Sequence, residues 1–406
     1  MVHQMMATKI SPAPSASSKR SVMGRVCAWA GSVAIVGILA ACSSAPVSLA
    51  PPVSAPRPAT APTAKPAVPT RTDSTGAIQR GSSRWIPASW EDLPGFAEDN
   101  LFEAWNAWIK NCEKPVAPFA ALCSDVRQLS IATAEEQRAW LQSRLQPYRV
   151  ESLAGDANGL LTGYFEPALE ASRQPSTAFG VPLYRPPEGL GTRKPWFTRR
   201  EMDTVVQAQA ALQGKAIAYL ADPVDALLLQ VQGSGRLRIT AADGSARWVR
   251  VSYAGTNDQP FRSVGRWLLD QGLVRDASWA GIRAWLAQNP QRQQELLWSN
   301  PRVTFFREEV LGELDAAFGP RGAQGVALTP GRSIAVDTSS IPLGTPLWLA
   351  SVGSQVTLRR LVLAQDTGGA VQGAVRADYF VGWGAQAGES AGRLRQPLQM
   401  WVLWPK

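Results

Sequence analysis

Three aspartates near the C-terminal end of the chain are the residues best suited to chemistry. Asp337 and Asp366 each follow a short apolar segment, and Asp378 comes twelve residues after Asp366. A carboxylate at the end of a strand is fixed by the sheet while it faces a cleft, and general acid/base catalysis requires such a position. One aspartate before a glycine is more often a turn residue, but three within 42 residues favour a shared site.

Short apolar segments around these aspartates predict a mainly β fold (α+β) with flanking helices and largely antiparallel β cores. The predicted strands cover residues 226–232, 237–240, 248–253, 334–336, 346–349, 361–364 and 399–403. Apolar residues at helical spacing predict helices over 101–112, 261–270 and 277–289. Thr133 and Glu136 form a capping-box pattern that predicts the start of another helix.

The aspartates lie in ordered motifs that continue far upstream. The motifs are Val336-Asp337, Gln365-Asp366-Thr367-Gly368-Gly369-Ala370, Arg376-x-Asp378, and the segments 161–167, 181–184, 230–235, 253–257 and 300–306. The first three resemble the three-aspartate 3D domain. Together, over about residues 94–406, the motifs resemble the family of membrane-bound lytic murein transglycosylase A.

This resemblance implies a fold of two β domains. A double-psi β-barrel domain is expected from residues 83–169 and 305–406, and a second β domain, residues 170–304, is expected as an insert. A groove is expected between the two.

The resemblance also implies roles for individual residues. Asp378 is the expected catalyst, and Asp366 and Asp337 are its expected structural or electrostatic supports. The expected glycan contacts offer amide, hydroxyl and aromatic groups: Tyr164, Gln230, Gln232, Ser234, Tyr253, Asn257, Thr338 and Trp383. Glu166 is a weaker candidate for a second acid.

One carboxylate is enough for a lytic transglycosylase, whereas most glycosidases need two. Protonated Asp378 would protonate the oxygen between N-acetylmuramic acid and N-acetylglucosamine. As a base it would then take the proton of the muramic C6 hydroxyl, which closes a 1,6-anhydro ring. The acid must be neutral at rest, so its pKa should be raised by a sheltered site or by a neighbour such as Asp366.

The N-terminal residues predict a targeting segment followed by a tether. A basic start and a short apolar segment indicate a signal peptide over residues 1–41, and Leu39-Ala40-Ala41-Cys42 resembles the lipobox of bacterial lipoproteins. Cys42 would then carry lipid, and Ser43 after it favours the periplasmic face of the outer membrane. Residues 42–82, with eight prolines between Pro46 and Pro69, predict an extended Pro/Ala/Ser-rich tether.

Removal of residues 1–41 narrows the function classes. The chain loses four of its 41 basic residues and none of its 32 acidic ones, which leaves a net charge of +5. A net charge of +5 is compatible with attraction to the carboxylates of peptide stems, but it is far below the positive charge typical of nucleic-acid-binding proteins. His3, the single histidine, is also lost, and with it any Ser-His pair, Cys-His pair or His-bearing zinc site. No cofactor or metal is expected.

Two of the remaining cysteines, Cys112 and Cys123, predict a disulfide in an oxidising compartment, with two buried thiols as the alternative. Three other functions stay open. The Asp366-Thr367-Gly368 strand also resembles an aspartic protease, although Asp337 and Asp366 lie only 29 residues apart. A non-catalytic peptidoglycan-binding lipoprotein and a conventional hydrolase are the others. The sequence leaves endo- or exo-action and partners in cell-wall enzyme complexes undecided.

Overall fold

A computed structural model describes residues 71–72 and 76–406, apart from 242 and 355, and Cys42 with the expected signal peptide lies outside this range. The first eight strands are β1 Arg71–Thr72, β2 Ile78–Arg80, β3 Ser83–Pro87, β4 Leu145–Ser152, β5 Gly159–Glu166, β6 Ala168–Ser172, β7 Val181–Tyr184 and β8 Ala216–Leu220. The remaining strands are β9 Ser234–Thr240, β10 Ala246–Thr256, β11 Thr304–Val310, β12 Ser333–Val336, β13 Pro346–Val352, β14 Thr357–Asp366, β15 Arg376–Trp383 and β16 Arg395–Pro405.

Helices flank these strands, so the expected mainly β fold with flanking helices is confirmed. They are α1 Phe102–Asn111, α2 Cys123–Gln128, α3 Ala134–Arg144, α4 Arg199–Thr204, α5 Val206–Leu212, α6 Pro223–Gln232, α7 Val264–Asp270, α8 Trp279–Gln288, α9 Gln293–Trp298, α10 Glu313–Ala316 and α11 Gly384–Arg393. Across the described part of the chain, none of them has the length and apolar character needed to span a membrane.

Six strands of the larger sheet form a ring in which each is hydrogen-bonded to two neighbours. The order round the ring is β5, β15, β12, β14, β13 and β16, and β16 returns to β5. The pairs β12–β14 and β5–β15 are parallel, and the other pairs of the ring are antiparallel. A closed ring protects its strand edges from pairing with other chains. The barrel implied by the resemblance is therefore confirmed.

The barrel interior is apolar, and this fixes which side chains point outward. Leu161, Val336 and Ala377 are fully buried in the interior core. Because successive side chains in a strand point to opposite faces, Thr162 and Asp378 lie on the outer face. The sequence alternation of these strands thus places the candidate acid outside the barrel.

Helices α1–α3 cover another part of the outer face. Trp105 and Trp108 of α1 pack with Trp348 and Trp401 of the barrel in one buried cluster. The predicted Cys112–Cys123 disulfide is present, with 5.5 Å between the Cα atoms, and it joins the end of α1 to the start of α2. The predicted capping box is also present, since the Thr133 hydroxyl accepts from the Glu136 amide at the start of α3.

The second sheet has the strand order β11-β10-β9-β6-β8-β7 and its own core. The chain passes from barrel to second sheet within one residue, because β5 ends at Glu166 and β6 begins at Ala168.

One strand prediction in this region is wrong. Residues 226–232 belong to helix α6, whose start is capped by the Asp222 side chain and whose first residue is Pro223. Gly233 ends the helix in a left-handed conformation. The apolar residues Leu227 and Leu229 are buried by the helix against two different cores. A short continuous apolar run does not distinguish a strand from a buried helix.

Two predicted limits also differ from the observed strands. The tether was expected to reach residue 82, but Ile78–Arg80 pairs with Ser83–Pro87 because Ile78 contributes to the barrel core. The barrel segment was expected to resume at 305, yet Thr304–Val310 is a strand of the second sheet. Phe306 explains this placement, since it is fully buried in the second core.

Candidate active site

A row of paired residues crosses the outer face of the barrel and brings two of the aspartates together. Ala335 of β12 is paired with Asp366 of β14 on one side and with Asp378 of β15 on the other. Asp378 is in turn paired with Thr162 of β5. Side chains paired across adjacent strands share a face, and neighbouring strands lie about 4.8 Å apart. The pairing of β12 with β14 shifts register at Ala335, so the position of Asp366 is shown by its contact with Tyr164 of β5, whose hydroxyl donates to Oδ2 of Asp366. Tyr164 lies two residues after Thr162 and shares its face, which brings Asp366 to the same site as Asp378.

Asp378 is held through one of its two carboxyl oxygens. The Thr162 hydroxyl donates to Oδ1 at 2.7 Å, and Nη2 of Arg376 donates to that hydroxyl oxygen at 2.8 Å. Among the described residues, no group hydrogen-bonds Oδ2. Burial raises the pKa of Asp378 above its usual value, while the Thr162 hydrogen bond and the Arg376 charge act against this rise. Oδ1 is therefore held by the protein, and Oδ2 is free to contact a ligand.

Asp366 is surrounded by three donors. Oδ1 accepts from the amides of Ala323 and Thr367, each at 2.9 Å, and Oδ2 accepts from the Tyr164 hydroxyl at 2.9 Å. Burial raises the pKa of Asp366, the three hydrogen bonds oppose this, and the charge of Asp378 adds to the rise. Burial and the two carboxylates also hold the pKa of Tyr164 well above its usual value, so the phenol remains a donor.

Asp337 binds loops. Its Oδ1 accepts from the amide and the hydroxyl of Ser339, and its Oδ2 accepts from the Gly373 amide at 2.8 Å. The side chain thus ties the turn after β12 to the loop that leads into β15. Thr338, in the same turn, is exposed.

A close helix contact fixes the strand that carries Thr162 and Tyr164. Between them, Gly163 lies against α11, and a Cβ there would be only 2.9 Å from the Cα of Ala391. Only glycine permits this approach without displacing the helix.

The predicted glycan contacts are divided between the site and the scaffold. Gln232 lies beside β5, since its Oε1 accepts from the Phe165 amide at 3.0 Å. Trp383 ends β15 half-buried, with the Arg236 guanidinium 4.1 Å from the centre of its ring. Trp383 thus lies on the same strand as Asp378, and Gln232 contacts β5, the strand that carries Thr162.

The other four predicted contacts lie in the second sheet, in helix α6 or, for Asn257, directly after β10. Asn257 is fully buried, and its amide group bonds backbone atoms of 197, 301 and 303, so its role is structural. Gln230 accepts from Arg199 at 2.6 Å, and Ser234 is buried. Tyr253 is half exposed.

Glu166, the weaker candidate for a second acid, is an ion-paired scaffold residue. It has no exposed surface, and its two oxygens accept from Nε of Arg236 at 2.7 Å and Nε of Arg250 at 2.6 Å. Both guanidiniums also donate to the Phe318 carbonyl. Both oxygens of Glu166 are thus occupied by protein donors and shielded from solvent, so neither can reach a substrate.

Two residues of the site, Thr162 and Arg376, were not among the predicted site residues, although both lie in the motifs. The available signal was strand alternation. Thr162 is two residues before Tyr164, and Arg376 is two residues before Asp378, so each shares a face with a residue that was selected.

A half-buried aspartate with one carboxyl oxygen free of protein hydrogen bonds, on the outer face of a barrel, is an arrangement found in acid/base enzymes, and comparisons identify the family. The MltA specific insert domain matches residues 160–307, and the 3D domain matches residues 332–404. Membrane-bound lytic murein transglycosylase A of Vibrio cholerae is 33% identical over 262 residues, which are 61% of this chain and 67% of the relative. The Escherichia coli K12 protein of the same name is 34% identical over 281 residues, 66% and 72% of the two chains.

Solved structures agree. LtgG, a lytic transglycosylase of Burkholderia pseudomallei, is 40% identical, with a TM-score of 0.55 over 83% of this chain and all of that one. MltA of Neisseria gonorrhoeae is 28% identical, with a TM-score of 0.68 over 84% and 96%. E. coli MltA with bound chitohexaose is 26% identical, with a TM-score of 0.63 over 82% and 96%. The chain belongs to the family of membrane-bound lytic murein transglycosylase A.

Proposed function

We propose that this protein cleaves peptidoglycan glycan strands as a lytic transglycosylase in which Asp378 performs both proton transfers. The observation that carries this assignment is the state of the Asp378 carboxyl. Thr162 binds Oδ1, Oδ2 is left for the substrate, and burial raises the pKa. Membership of the family and the bound chitohexaose of the E. coli relative support a glycan substrate.

In the first step, Oδ2 of Asp378 gives its proton to the oxygen that links N-acetylmuramic acid to N-acetylglucosamine. The C1–O bond breaks, and the 2-acetamido group of the muramic acid stabilises the positive charge on the ring. The charge that appears on Asp378 is stabilised by the Thr162 hydroxyl, which Arg376 polarises from its other side.

In the second step, the Asp378 carboxylate takes the proton of the muramic C6 hydroxyl. The C6 oxygen attacks C1 and closes the 1,6-anhydro ring, which returns Asp378 to its protonated form. No water enters the product. Asp366 stays bound to Tyr164 and two backbone amides throughout, and its role is to shape the site.

The glycan strand lies between the barrel and the second sheet, which form two domains with the second inserted in the first. Gln232 and Trp383 support this path, because both lie where β5 and β15 approach the second sheet. The Arg302 guanidinium also reaches Gly369, in the loop after Asp366.

Cys42 anchors the protein to the periplasmic face of the outer membrane. The Leu39–Cys42 motif supports this placement, as does the membrane-bound naming of the relatives. Cys42→Ser should move the protein into the soluble fraction or block its processing. Complete retention of this variant in membranes would contradict the anchor.

Digestion of purified sacculi tests the reaction. Mass spectrometry of the products should show 1,6-anhydro ends, each lighter by one water than a hydrolytic end. A parallel incubation with Asp378→Asn serves as the blank, because it measures the 1,6-anhydro ends that the sacculi already contain. Products with only free reducing ends would contradict ring closure, and an unchanged sacculus would indicate a binding protein.

A further inference from the structure

Two arginines lie on either side of β5 beside the candidate catalyst, and the proposed reaction accounts for only one. Thr162 of β5 is paired with Asp378 of β15 on one side and with Arg395 of β16 on the other. Asp378, Thr162 and Arg395 thus extend in one row across the outer face. Arg376, two residues before Asp378, shares this face and reaches forward to the Thr162 hydroxyl.

The charges of these arginines are poorly balanced. The Arg395 side chain is exposed and has neither a hydrogen bond nor an ion pair with any residue that the structure describes. Burial lowers the pKa of Arg376, the charge of Asp378 raises it, and the charge of Arg395 lowers it again. Since Asp378 must be neutral when the reaction starts, two neighbouring guanidiniums then carry no opposing charge between them.

Arg393 shows the contrasting arrangement two residues away. It lies at the end of α11, exposed like Arg395, and its guanidinium is 3.7 Å from the Glu389 carboxylate one helical turn earlier. An exposed arginine in this segment therefore has a local acid available, while Arg395 faces the site.

A carboxylate is the group that a guanidinium pair recognises with matching geometry. In the proposed substrate, a carboxyl-bearing substituent is attached to the muramic ring whose C1 reacts at Asp378. It is the lactyl group, whose carboxylate is free in peptide-free strands and is replaced by the carboxylates of the stem in peptide-bearing strands. Two strand spacings, about 10 Å, separate the backbone of Asp378 from that of Arg395, which such a substituent spans.

We infer that Arg395, together with Arg376, binds the carboxylate of the muramic acid substituent. The inference rests on the proposed function and gives the site a means to distinguish a muramic acid residue from an N-acetylglucosamine residue at the reacting position. Arg376 additionally orients Thr162, whereas Arg395 touches only the substrate.

Binding to the Asp378→Asn protein tests the inference without turnover. Calorimetry would compare three oligosaccharides of equal length: peptide-bearing glycan, peptide-free glycan and chitohexaose. Arg395→Gln in this background should weaken binding of at least one muramic ligand about 5-fold, the upper range for an exposed ion pair, and leave chitohexaose unchanged. Arg395→Lys should recover part of the loss, and Arg393→Gln is the matched control that should change nothing.

The pattern of loss identifies the carboxylate. A loss confined to peptide-bearing glycan assigns it to the stem, and a loss confined to peptide-free glycan assigns it to the lactyl group. An equal loss for chitohexaose, or no loss for any ligand, would overturn the inference. Failure of the proposed function is read separately, from wild-type digests that lack 1,6-anhydro ends whatever residue occupies position 395.

Discussion

Strand β5 contributes to two carboxylate clusters, one fully buried and one half-buried, that are compensated in different ways. At its end, Glu166 is enclosed by the guanidiniums of Arg236 and Arg250. In its middle, Thr162 meets Asp378 through a single neutral hydroxyl, and the nearest guanidinium, Arg376, acts through that hydroxyl.

The difference distinguishes a carboxylate that stabilises the fold, Glu166, from the proposed catalytic carboxylate, Asp378. Removing a charge from water is costly unless opposite charge and hydrogen bonds replace the solvent. Glu166 has both and joins β5 to two strands of the second sheet. Asp378 has fewer compensating groups, so burial raises its pKa and favours the protonated form that an acid catalyst needs.

The largest predicted effect is on catalysis by Asp378. Asp378→Asn keeps the side-chain shape but cannot give and retrieve a proton. Turnover of sacculi should fall by about 10³-fold, within the range for general acid/base catalysis. Circular dichroism and thermal unfolding should show a folded protein. A variant with wild-type turnover would remove Asp378 from the mechanism.

The next largest effect is expected on the stability of the protein, from a change in the Glu166 cluster. Glu166→Gln leaves two buried guanidiniums without a charge partner, and breaking a buried ion pair costs about 3–5 kcal/mol. Urea unfolding should show this loss in the free energy of unfolding, while turnover per folded molecule changes little. Glu170→Gln is the control, because Glu170 is exposed and 3.4 Å from Arg238. Equal effects of the two changes would refute the structural role of Glu166.

A smaller effect is expected from Thr162→Val, which removes the hydroxyl but keeps the shape. That hydrogen bond lowers the pKa of Asp378, so its loss should raise the pKa further. Since the acid must be protonated, the alkaline limb of the pH–rate profile should move to higher pH, and the rate should fall about 10-fold or less.

The control for this change is Thr357→Val, at an exposed position of β14. Its pH profile should match the wild type. A limb that moves to lower pH in Thr162→Val, or does not move, would show that the hydroxyl has another role.

The sequence predicted the aspartates because their motifs are local, but it did not reveal their partners. Thr162 and Asp378 are separated by 216 residues and meet only through the pairing of β5 with β15. The same limit applies to Asn257, whose polar side chain suited a glycan contact until its three backbone partners became visible. Strand register and burial decide such cases, and neither can be read from residue types.

Helix α6 illustrates a different limit. Its apolar residues gave a strand-like run, while Asp222, Pro223 and Gly233 carried the correct signals for the start and end of a helix. If these cap residues had been given more weight than the continuous apolar segment, the helix would have been predicted. By contrast, the capping box at Thr133 was used and was confirmed.

The most direct test of the central claim is the protonation state of Asp378. Infrared difference spectra between the wild type and Asp378→Asn, recorded over a pH series, isolate the carboxyl stretch of this residue. The protonated band should persist above the usual pKa of an aspartate, about 3.9, and disappear at a higher pH. A band already lost at or below that pH would show an ionised Asp378, which could not act as the acid of the first step.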